Sequence, residues 1–379
     1  MSGNPGIPWT ILSFLLVIGP LIFVHELGHY FVGRWCGVKA DAFSIGFGRE
    51  IFGWTDRRGT RWKVAWLPLG GYVKFAGDMN PASQPSPEWL SLPAEERNLT
   101  FQSKPAWQRF LIVAAGPVTN FLLAILIFAG FNMSYGVSRT PPVVGTVLAG
   151  SAAAEAGLRP GDRILQIDGA SISRFEDIGR RVILRPEETM TIRFQRGQAA
   201  VEVEARPKAE VERDRFGNEF KKGVLGVGAS AEAVVVQSVG PLEAVGSALS
   251  QTGTVVSTTL EGLGQIITGR RSAKELGGPL KIAKFSGEQA SLGFVAFAWF
   301  VAIISINLGF INLLPIPMLD GGHLLFYLIE GVRRKPLKPE AQEWAFRTGL
   351  AALLALMIFV TFNDLASFGL WEKLGGLIG

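Results

Sequence analysis

The residues best suited to chemistry form one short motif, His25-Glu-Leu-Gly-His29, in a chain of 379 residues with three histidines. On an α-helix, residues four apart lie on one face, so both imidazoles can bind the same metal ion. Glu26 would then face a metal-bound water, as hydrolysis at a zinc ion requires. In an alternative interpretation these polar residues simply end a helix at a membrane surface. That position is costly for two histidines and a glutamate unless they bind something.

A hydrolytic zinc site needs a third protein ligand and one open position. His323 is an obvious candidate, but Asp320 is the better one, because it ends an apolar run within the segment 312–323. In that segment two prolines interrupt the helix, and two glycines after Asp320 allow close backbone approach. Broken helices at membrane depth usually line functional cavities. The sequence therefore predicts a zinc centre of His25, His29 and Asp320.

The elements that must position these residues are membrane helices. Hydrophobic residues make up 48% of the chain and charged residues 18%, a balance outside the usual range of soluble domains. This composition excludes a disordered chain and a nucleic-acid-binding arm, and the single cysteine, Cys36, excludes a disulfide scaffold. Four runs with almost no charge are near or above the roughly 20 residues that cross a bilayer; they cover residues 1–24, 110–138, 289–319 and 348–371. We therefore predict a polytopic α-helical membrane protein with four transmembrane helices.

The charges that flank these runs predict an orientation. The first run lacks a basic start and a small-residue cleavage site, so we expect a retained span and not a cleaved signal peptide. Lys and Arg are concentrated in the connections 34–109 and 333–347, which places both in the cytoplasm. Both termini and the hydrophilic insert 139–288 are then expected outside, in the periplasm of a bacterium. The first and third spans would end at the same cytoplasmic depth, which brings the two motif histidines to the level of Asp320.

With these motifs in place, the chain resembles the site-2 proteases, which are intramembrane zinc metallopeptidases, and among them the bacterial regulator of sigma-E protease branch. The resemblance extends over nearly the whole chain and rests on HELGH at 25–29, the segment ending in LDGGH at 319–323, Gly116–Phe121 and Pro68–Lys74. It implies that Glu26 is the catalytic base and that the zinc ligands are His25, His29 and Asp320. His323 is outside the ligand set that the resemblance implies.

The resemblance also suggests residues that position a substrate. Asn307 and Asn312 would contact the substrate, although both could instead form hydrogen bonds between helices. Strand-like runs between residues 42 and 75 resemble the family's membrane-associated β-hairpin, whose edge could bind a substrate as an added strand. Gly46 and Gly48 would allow the two backbones to approach, or would simply form a tight turn.

The outer insert resembles a PDZ domain of the permuted bacterial type over residues 139–208. It is present once, whereas the best-known members of the branch have two in tandem. Such a domain could bind a newly exposed carboxyl terminus or exclude substrates with bulky outer domains, and the resemblance favours exclusion. Further along, apolar residues recur at spacings of three and four over 242–267, which predicts an amphipathic helix. This helix would control substrate entry at the membrane surface, or pack on the PDZ domain or the spans.

The fold class expected is thus a four-helix membrane protein with a membrane-associated β-hairpin and an inserted periplasmic α+β PDZ domain. Its expected parts are a first helix with HELGH at 1–36, a cytoplasmic hairpin and loop at 37–108, a second helix at 109–138, the PDZ domain at 139–208, a connector with the amphipathic helix at 209–288, a third segment with LDGGH at 289–332 and a fourth helix at 347–371.

The expected function is zinc-dependent hydrolysis of peptide bonds inside the membrane spans of single-span proteins, in the bacterial inner membrane. The resemblance names anti-sigma factors and remnant signal peptides as substrate classes, with the lipid bilayer as the other partner and no nucleic acid. Two other classes were compared. A membrane-tethered PDZ adaptor with a vestigial metal site is disfavoured by the complete set of two His, Glu and Asp. A metal transporter would need ligands at several depths, whereas here they collect at one.

Overall fold

A computed structural model describes residues 6–78, 92–213, 219–230, 235–335, 337 and 339–368. The chain divides into two compact units. The first contains Met1–Phe128, Ala248–Thr259 and Leu276–Leu365, and the second contains Ala129–Ser247, Leu260–Glu275 and Ala366–Gly379. Each unit is described by itself.

The described residues form helices and strands in the following order along the chain. The helices are α1 (Ile7–Trp35), α2 (Ala94–Arg97), α3 (Ala106–Tyr135), α4 (Ala152–Glu155), α5 (Phe175–Ile183), α6 (Pro241–Ile267), α7 (Pro279–Ser291), α8 (Phe294–Leu313), α9 (Asp320–Arg333) and α10 (Pro339–Ser367). The strands are β1 (Ala40–Thr55), β2 (Arg61–Phe75), β3 (Val137–Arg139), β4 (Val144–Val147), β5 (Arg163–Ile167), β6 (Ala170–Ser171), β7 (Met190–Arg196), β8 (Ala199–Ala205), β9 (Lys208–Arg213), β10 (Glu219–Val224), β11 (Val227–Ala229) and β12 (Val235–Gln237).

Among the residues that the structure describes, four helices, α1, α3, α8 and α10, are long and apolar enough to cross a membrane. This confirms the number of candidate spans predicted from the uncharged runs. Helices with apolar residues on all sides are suited to lipid, because every backbone polar group is paired within the helix. Large apolar side chains on these helices are exposed, as a lipid-facing surface requires; they include Leu12, Leu16, Leu122, Leu126, Trp299, Leu354 and Phe359.

The predicted third segment, 289–332, begins with the end of α7 and then contains two further helices, which are separated by a short irregular stretch. Helix α8 ends at Leu313 and α9 begins at Asp320, because Pro315 and Pro317 cannot continue a helical hydrogen-bond ladder. The turn packs tightly: a β-carbon at Gly321 would lie 2.1 Å from the carbonyl oxygen of Leu314. The sequence expectation of a helix broken before Asp320 is therefore confirmed.

The β-hairpin of the first unit is curled. Segments 42–45 and 71–74 of strands β1 and β2 pair antiparallel, as do 52–55 and 61–64, whereas 42–45 and 61–64 pair in the same direction. The two strands therefore form a small sheet of four segments, with 71–75 at one edge. Each strand bends once, and the bend in β1 falls at Gly46 and Gly48.

These two glycines have the conformation of a bend. Their φ angles are +89° and +91°, a region that side chains with a β-carbon rarely adopt. A β-carbon at Gly46 would lie 2.7 Å from the Leu67 carbonyl oxygen, whereas one at Gly48 would meet nothing within 4 Å. The structure thus gives Gly46 a close approach to the protein's own strand β2, as the turn interpretation requires. The substrate role of both glycines stays a prediction.

The second unit contains a β-sheet with the strand order β6-β5-β7-β8. Alternating residues of β7 turn inward together with Ile164 and Ile167 of β5, and helix α5 adds Ile178 and Val182 to the same core. The sequence predicted that the PDZ-like unit ends at residue 208, but the unit continues beyond this residue. Leu225 belongs to the buried core, β11 pairs with β4, and β12 pairs with β3.

The correction has a physical reason. The two strands that close the unit, β11 and β12, follow residues that the sequence predicted to form a connector. In that part of the chain, Lys208–Arg213 and Glu219–Val224 pair as the antiparallel strands β9 and β10. These strands are rich in charged residues and lack a continuous apolar face, so the sequence pattern did not predict them as strands. A unit that runs from β3 to β12 pairs its first strand with its last, which is how the chain returns to its point of entry.

An ion pair between a buried carboxylate and a partly exposed arginine joins two parts of this unit. The Asp162 carboxylate accepts hydrogen bonds from Arg196 Nε at 2.8 Å and from Arg196 Nη2 at 2.7 Å. Burial raises the pKa of Asp162, but the hydrogen bonds from Arg196 and from the Arg159 backbone outweigh it, so the pKa lies below its ordinary value. The carboxylate is therefore charged at neutral pH and holds the start of β5 to the end of β7.

The matched glycines at the β1 bend give a stability prediction. Gly46→Ala and Gly48→Ala carry the same cost of a positive φ, but only Gly46→Ala places a methyl group against the Leu67 carbonyl. We expect Gly46→Ala to lower the thermal unfolding temperature in detergent by several degrees more, at roughly 2–4 °C per kcal/mol. Equal shifts in the two variants would show that the close approach to β2 is absent.

Candidate metal centre

Helix α1 positions the two motif histidines. Four residues separate them, so both rings project from one side of the helix. The Nε2 atoms of His25 and His29 are 3.2 Å apart, and the rings meet edge to face with centroids 4.8 Å apart. The two nitrogen atoms thus converge on one point.

Asp320, the first residue of α9, completes a triangle of donor atoms. Its Oδ2 is 3.1 Å from His25 Nε2 and 3.6 Å from His29 Nε2. Zinc–ligand bonds of about 2.0–2.2 Å in a tetrahedron place neighbouring donors roughly 3.3–3.6 Å apart. The three side chains therefore fit a zinc ion closely and can hold a metal together, and a tetrahedral ion would keep a fourth position open.

Each imidazole is held from behind by helix α3. His29 Nδ1 lies 2.9 Å from the carbonyl oxygen of Ile112. A carbonyl can only accept, so Nδ1 carries the proton and the lone pair of Nε2 faces the centre. His25 Nδ1 lies 3.1 Å from the side-chain amide of Asn120.

Helix α3 approaches the histidines so closely that one position must be glycine. A β-carbon at Gly116 would lie 2.2 Å from His29 Nε2 and 2.9 Å from His25 Cε1. One turn further, the Thr119 hydroxyl donates to the Val24 carbonyl at 3.0 Å, which fixes α3 against α1. The motif Gly116–Phe121 was visible in the sequence, but only the structure assigns these contacts to it.

Glu26 lies beside the triangle. Its side chain is buried, with 8% of the residue exposed, and its carboxyl group accepts a hydrogen bond from the Val73 backbone. Strand β2 is also close at Gly71, where a β-carbon would lie 3.0 Å from Glu26 Cγ. The edge segment 71–75 therefore contacts Glu26, the acidic side chain that lies beside the donor triangle.

A cavity of about 690 Å³ opens onto these groups. Its lining comes from α1, both strands of the hairpin, α3, α8 and α9, and it includes Glu26, the three donor side chains, Phe47, Gly70, Gly71, Tyr72, Asn312 and His323. Apolar side chains such as Ile22, Phe101 and Leu308 form much of the remainder. The cavity can therefore admit an apolar peptide segment to the donor atoms.

The other sequence-predicted positions have separate locations. Asn312 lines the cavity, whereas Asn307 accepts a hydrogen bond from the Thr259 hydroxyl of α6 at 3.0 Å, as the helix-to-helix alternative requires. His323 also lines the cavity, and its ring packs against Phe346 with centroids 5.0 Å apart. Gly48 borders a different groove, near the exposed Trp66.

A buried ion pair fixes the far end of the helix that carries Asp320. Arg109, near the start of α3, donates to Glu330 near the end of α9 at 2.9 Å. The Arg109 guanidinium also lies 4.7 Å from the ring centroid of Tyr327. Because Glu330 is buried, loss of its partner would leave an uncompensated charge. The pair therefore keeps α9, and with it Asp320, in register with α3.

A HExxH helix, a distal carboxylate and a cavity between candidate membrane spans define a membrane-bound zinc metallopeptidase. Comparison with known proteins agrees with this class. The family model for peptidase family M50 matches residues 13–356. The chain therefore belongs to peptidase family M50, the site-2 protease family, and is a zinc metalloprotease.

Similar proteins extend over nearly the whole chain. A Rhizobium meliloti protein whose name describes a zinc metalloprotease is 47% identical over 360 residues, which cover 94% of this chain and 96% of the relative. Metalloprotease MmpA of Caulobacter vibrioides is 38% identical over 390 residues, covering 97% of this chain and 98% of the relative.

One solved structure is similar to part of the chain. It is the PDZ domain of the SdrC-like protein from Listeria monocytogenes, with 20% sequence identity and a TM-score of 0.19, and the match covers 24% of this chain and 87% of that chain.

The donor triangle predicts which variants lose metal. We expect one zinc per chain in the purified protein. His25→Ala and Asp320→Ala should each weaken zinc binding by more than about 100-fold, because loss of a hydrogen-bond partner of a ligand already weakens it by about 10–100-fold. His323→Ala is the matched control, because its ring lines the same cavity outside the triangle. Elemental analysis after dialysis against a chelator measures this. Full zinc retention in Asp320→Ala, or zinc loss in His323→Ala alone, would contradict the ligand set.

Proposed function

We propose that this zinc metalloprotease hydrolyses peptide bonds within the membrane-spanning segments of single-span membrane proteins. One observation carries the proposal: the donor triangle and Glu26 line a cavity built from helices that can cross a membrane, beside the open edge of a β-sheet. The family membership supports a protease, and the apolar surroundings support a substrate from the bilayer.

The residues have separate roles in this proposal. His25, His29 and Asp320 hold the zinc ion, which when bound lowers the pKa of water towards neutrality and polarises a carbonyl group. Glu26 takes the proton from the attacking water and delivers it to the leaving amide nitrogen. Its position beside the two histidines and inside the cavity supports both transfers.

A substrate span must lose its helical structure before it can be cut. In a helix each backbone carbonyl is already hydrogen-bonded, and in lipid an opened backbone needs new partners. The edge segment 71–75 offers them. Its residues Gly71, Tyr72 and Val73 line the cavity, so an extended substrate could pair with this edge while its scissile bond lies near Glu26.

Further aspects of the proposal follow from charge and resemblance. From the Lys/Arg-rich connections we infer that the active site lies near the cytoplasmic side of a bacterial inner membrane, with both termini and the PDZ-like unit in the periplasm. Anti-sigma factors and remnant signal peptides are the proposed substrate classes, and Asn312, which lines the cavity, is the better placed of the two asparagines to contact them. The PDZ-like unit would act by exclusion of substrates with bulky outer domains.

The test is cleavage of a single-span substrate by the protein reconstituted in lipid vesicles. Glu26→Gln should keep zinc and reduce cleavage by at least about 10²–10⁴-fold, since general-base catalysis supplies that much. Glu95→Gln on the exposed helix α2 is the control and should cleave normally. Cleavage by Glu26→Gln at near the wild-type rate would contradict the mechanism. A protein that binds zinc but cuts only soluble peptides would contradict the proposed substrate class.

A further inference from the structure

Asn120 is the buried polar side chain closest to the metal centre that the mechanism above does not use. It lies on α3, is fully buried, and its side-chain amide is 3.1 Å from His25 Nδ1. Within the described part of the chain, the other end of the same amide, Oδ1, has no hydrogen-bond donor. A buried carbonyl oxygen without a donor is unfavourable, because it has lost the hydrogen bonds that it would make with water.

The direction of this hydrogen bond decides whether His25 can bind a metal. The Nε2 atom of His25 faces the other two donor atoms, so its lone pair must be free for the ion. The proton of a neutral imidazole then resides on Nδ1, which needs an acceptor. An amide NH₂ group at that position would compete with metal binding, whereas an amide oxygen would favour it.

The amide of Asn120 can supply that oxygen. The two ends of a carboxamide have nearly the same shape, so a half-turn about the Cβ–Cγ bond exchanges them without moving any neighbour. The exchange places Oδ1, which otherwise lacks a donor, against the Nδ1 proton of His25. Metal binding at Nε2 and acceptance by Asn120 therefore favour each other.

The surroundings keep Asn120 pointed at His25. Ser305 of α8 donates to the Asn120 backbone carbonyl at 2.8 Å. A β-carbon at Gly309 would lie 3.3 Å from Asn120 Cβ, so α8 packs directly behind the side chain. The same face of α3, two turns earlier, presents the Ile112 carbonyl to His29. Helix α3 thus supplies one acceptor for each imidazole.

We propose that Asn120 is a positioning residue for His25: its side-chain oxygen accepts the Nδ1 proton and holds the tautomer whose Nε2 binds zinc. This inference rests on the proposed ligand set. Outer hydrogen-bond partners of metal-binding histidines typically contribute 10–100-fold to metal affinity, and Asn120 should contribute within that range.

The first test compares zinc affinity, by chelator competition, in three full-length variants. Asn120→Leu removes the acceptor at similar volume and should weaken zinc binding by about 10–100-fold. The carboxylate of Asn120→Asp can only accept a hydrogen bond, so the zinc affinity of this variant should be no more than about threefold weaker than that of the wild type. Asn132→Leu is the control, since Asn132 is a buried asparagine of the same helix that donates to the Ala244 carbonyl; it should bind zinc normally.

Two results would overturn the proposal: wild-type affinity in Asn120→Leu, or equal weakening in Asn120→Leu and Asn120→Asp. The second would mean that the amide acts as a donor. Failure of the ligand set is separable, because His25→Ala would then keep its zinc whatever the Asn120 variants do.

A second test uses the wild-type protein and therefore does not depend on whether a variant folds. The chain has three histidines, so ¹⁵N-histidine labelling gives a spectrum of three rings, with His323 as the ring outside the donor triangle. In the zinc-loaded wild type, His25 and His29 should both show a protonated Nδ1 and a metal-bound Nε2. A His25 ring with an unprotonated Nδ1 would overturn the proposal directly.

Discussion

Two imidazoles and a carboxylate, with donor atoms no more than 3.6 Å apart, lie in the interior of a bundle of apolar helices. Polar groups in such surroundings are costly unless each is paired. In our proposal a zinc ion is the shared partner, and the protein must keep the three donors at tetrahedral spacing. The remaining features of the first unit are consequences of this requirement.

Helix α3 meets the requirement for all three donors. It accepts from His29 through Ile112, makes room for both rings at Gly116, and holds the helix of Asp320 through Arg109. Asn120, at the next position on this face, serves His25 in our proposal. These positions are spaced by three or four residues, so one face of one helix determines the geometry of the centre. The cavity lies between this face of α3, the β-hairpin and α9.

Much of this arrangement could be predicted from the sequence, because its signals are local. HELGH predicts, within five residues, two histidines on one face of a helix, and the uncharged runs predict the membrane spans. Pro315 and Pro317 report the break before Asp320. The curled pairing of the hairpin could not be predicted, since it depends on which distant segment 42–45 contacts. The strands that close the PDZ-like unit were also missed, because a charged ribbon separates β11 and β12 from the core they complete. Asn120 and Asn307 look alike in the sequence, and only tertiary contacts give one to His25 and the other to Thr259.

The central claim is that two imidazoles and one carboxylate bind a single zinc ion inside the membrane domain. X-ray absorption spectroscopy of the zinc-loaded protein in lipid tests it most directly, because it reports ligand type, number and distance without reference to activity. The account predicts two imidazole nitrogens and carboxylate or water oxygens, all at about 2.0–2.2 Å. A sulfur ligand at about 2.3 Å, or a third imidazole in place of Asp320, would contradict it.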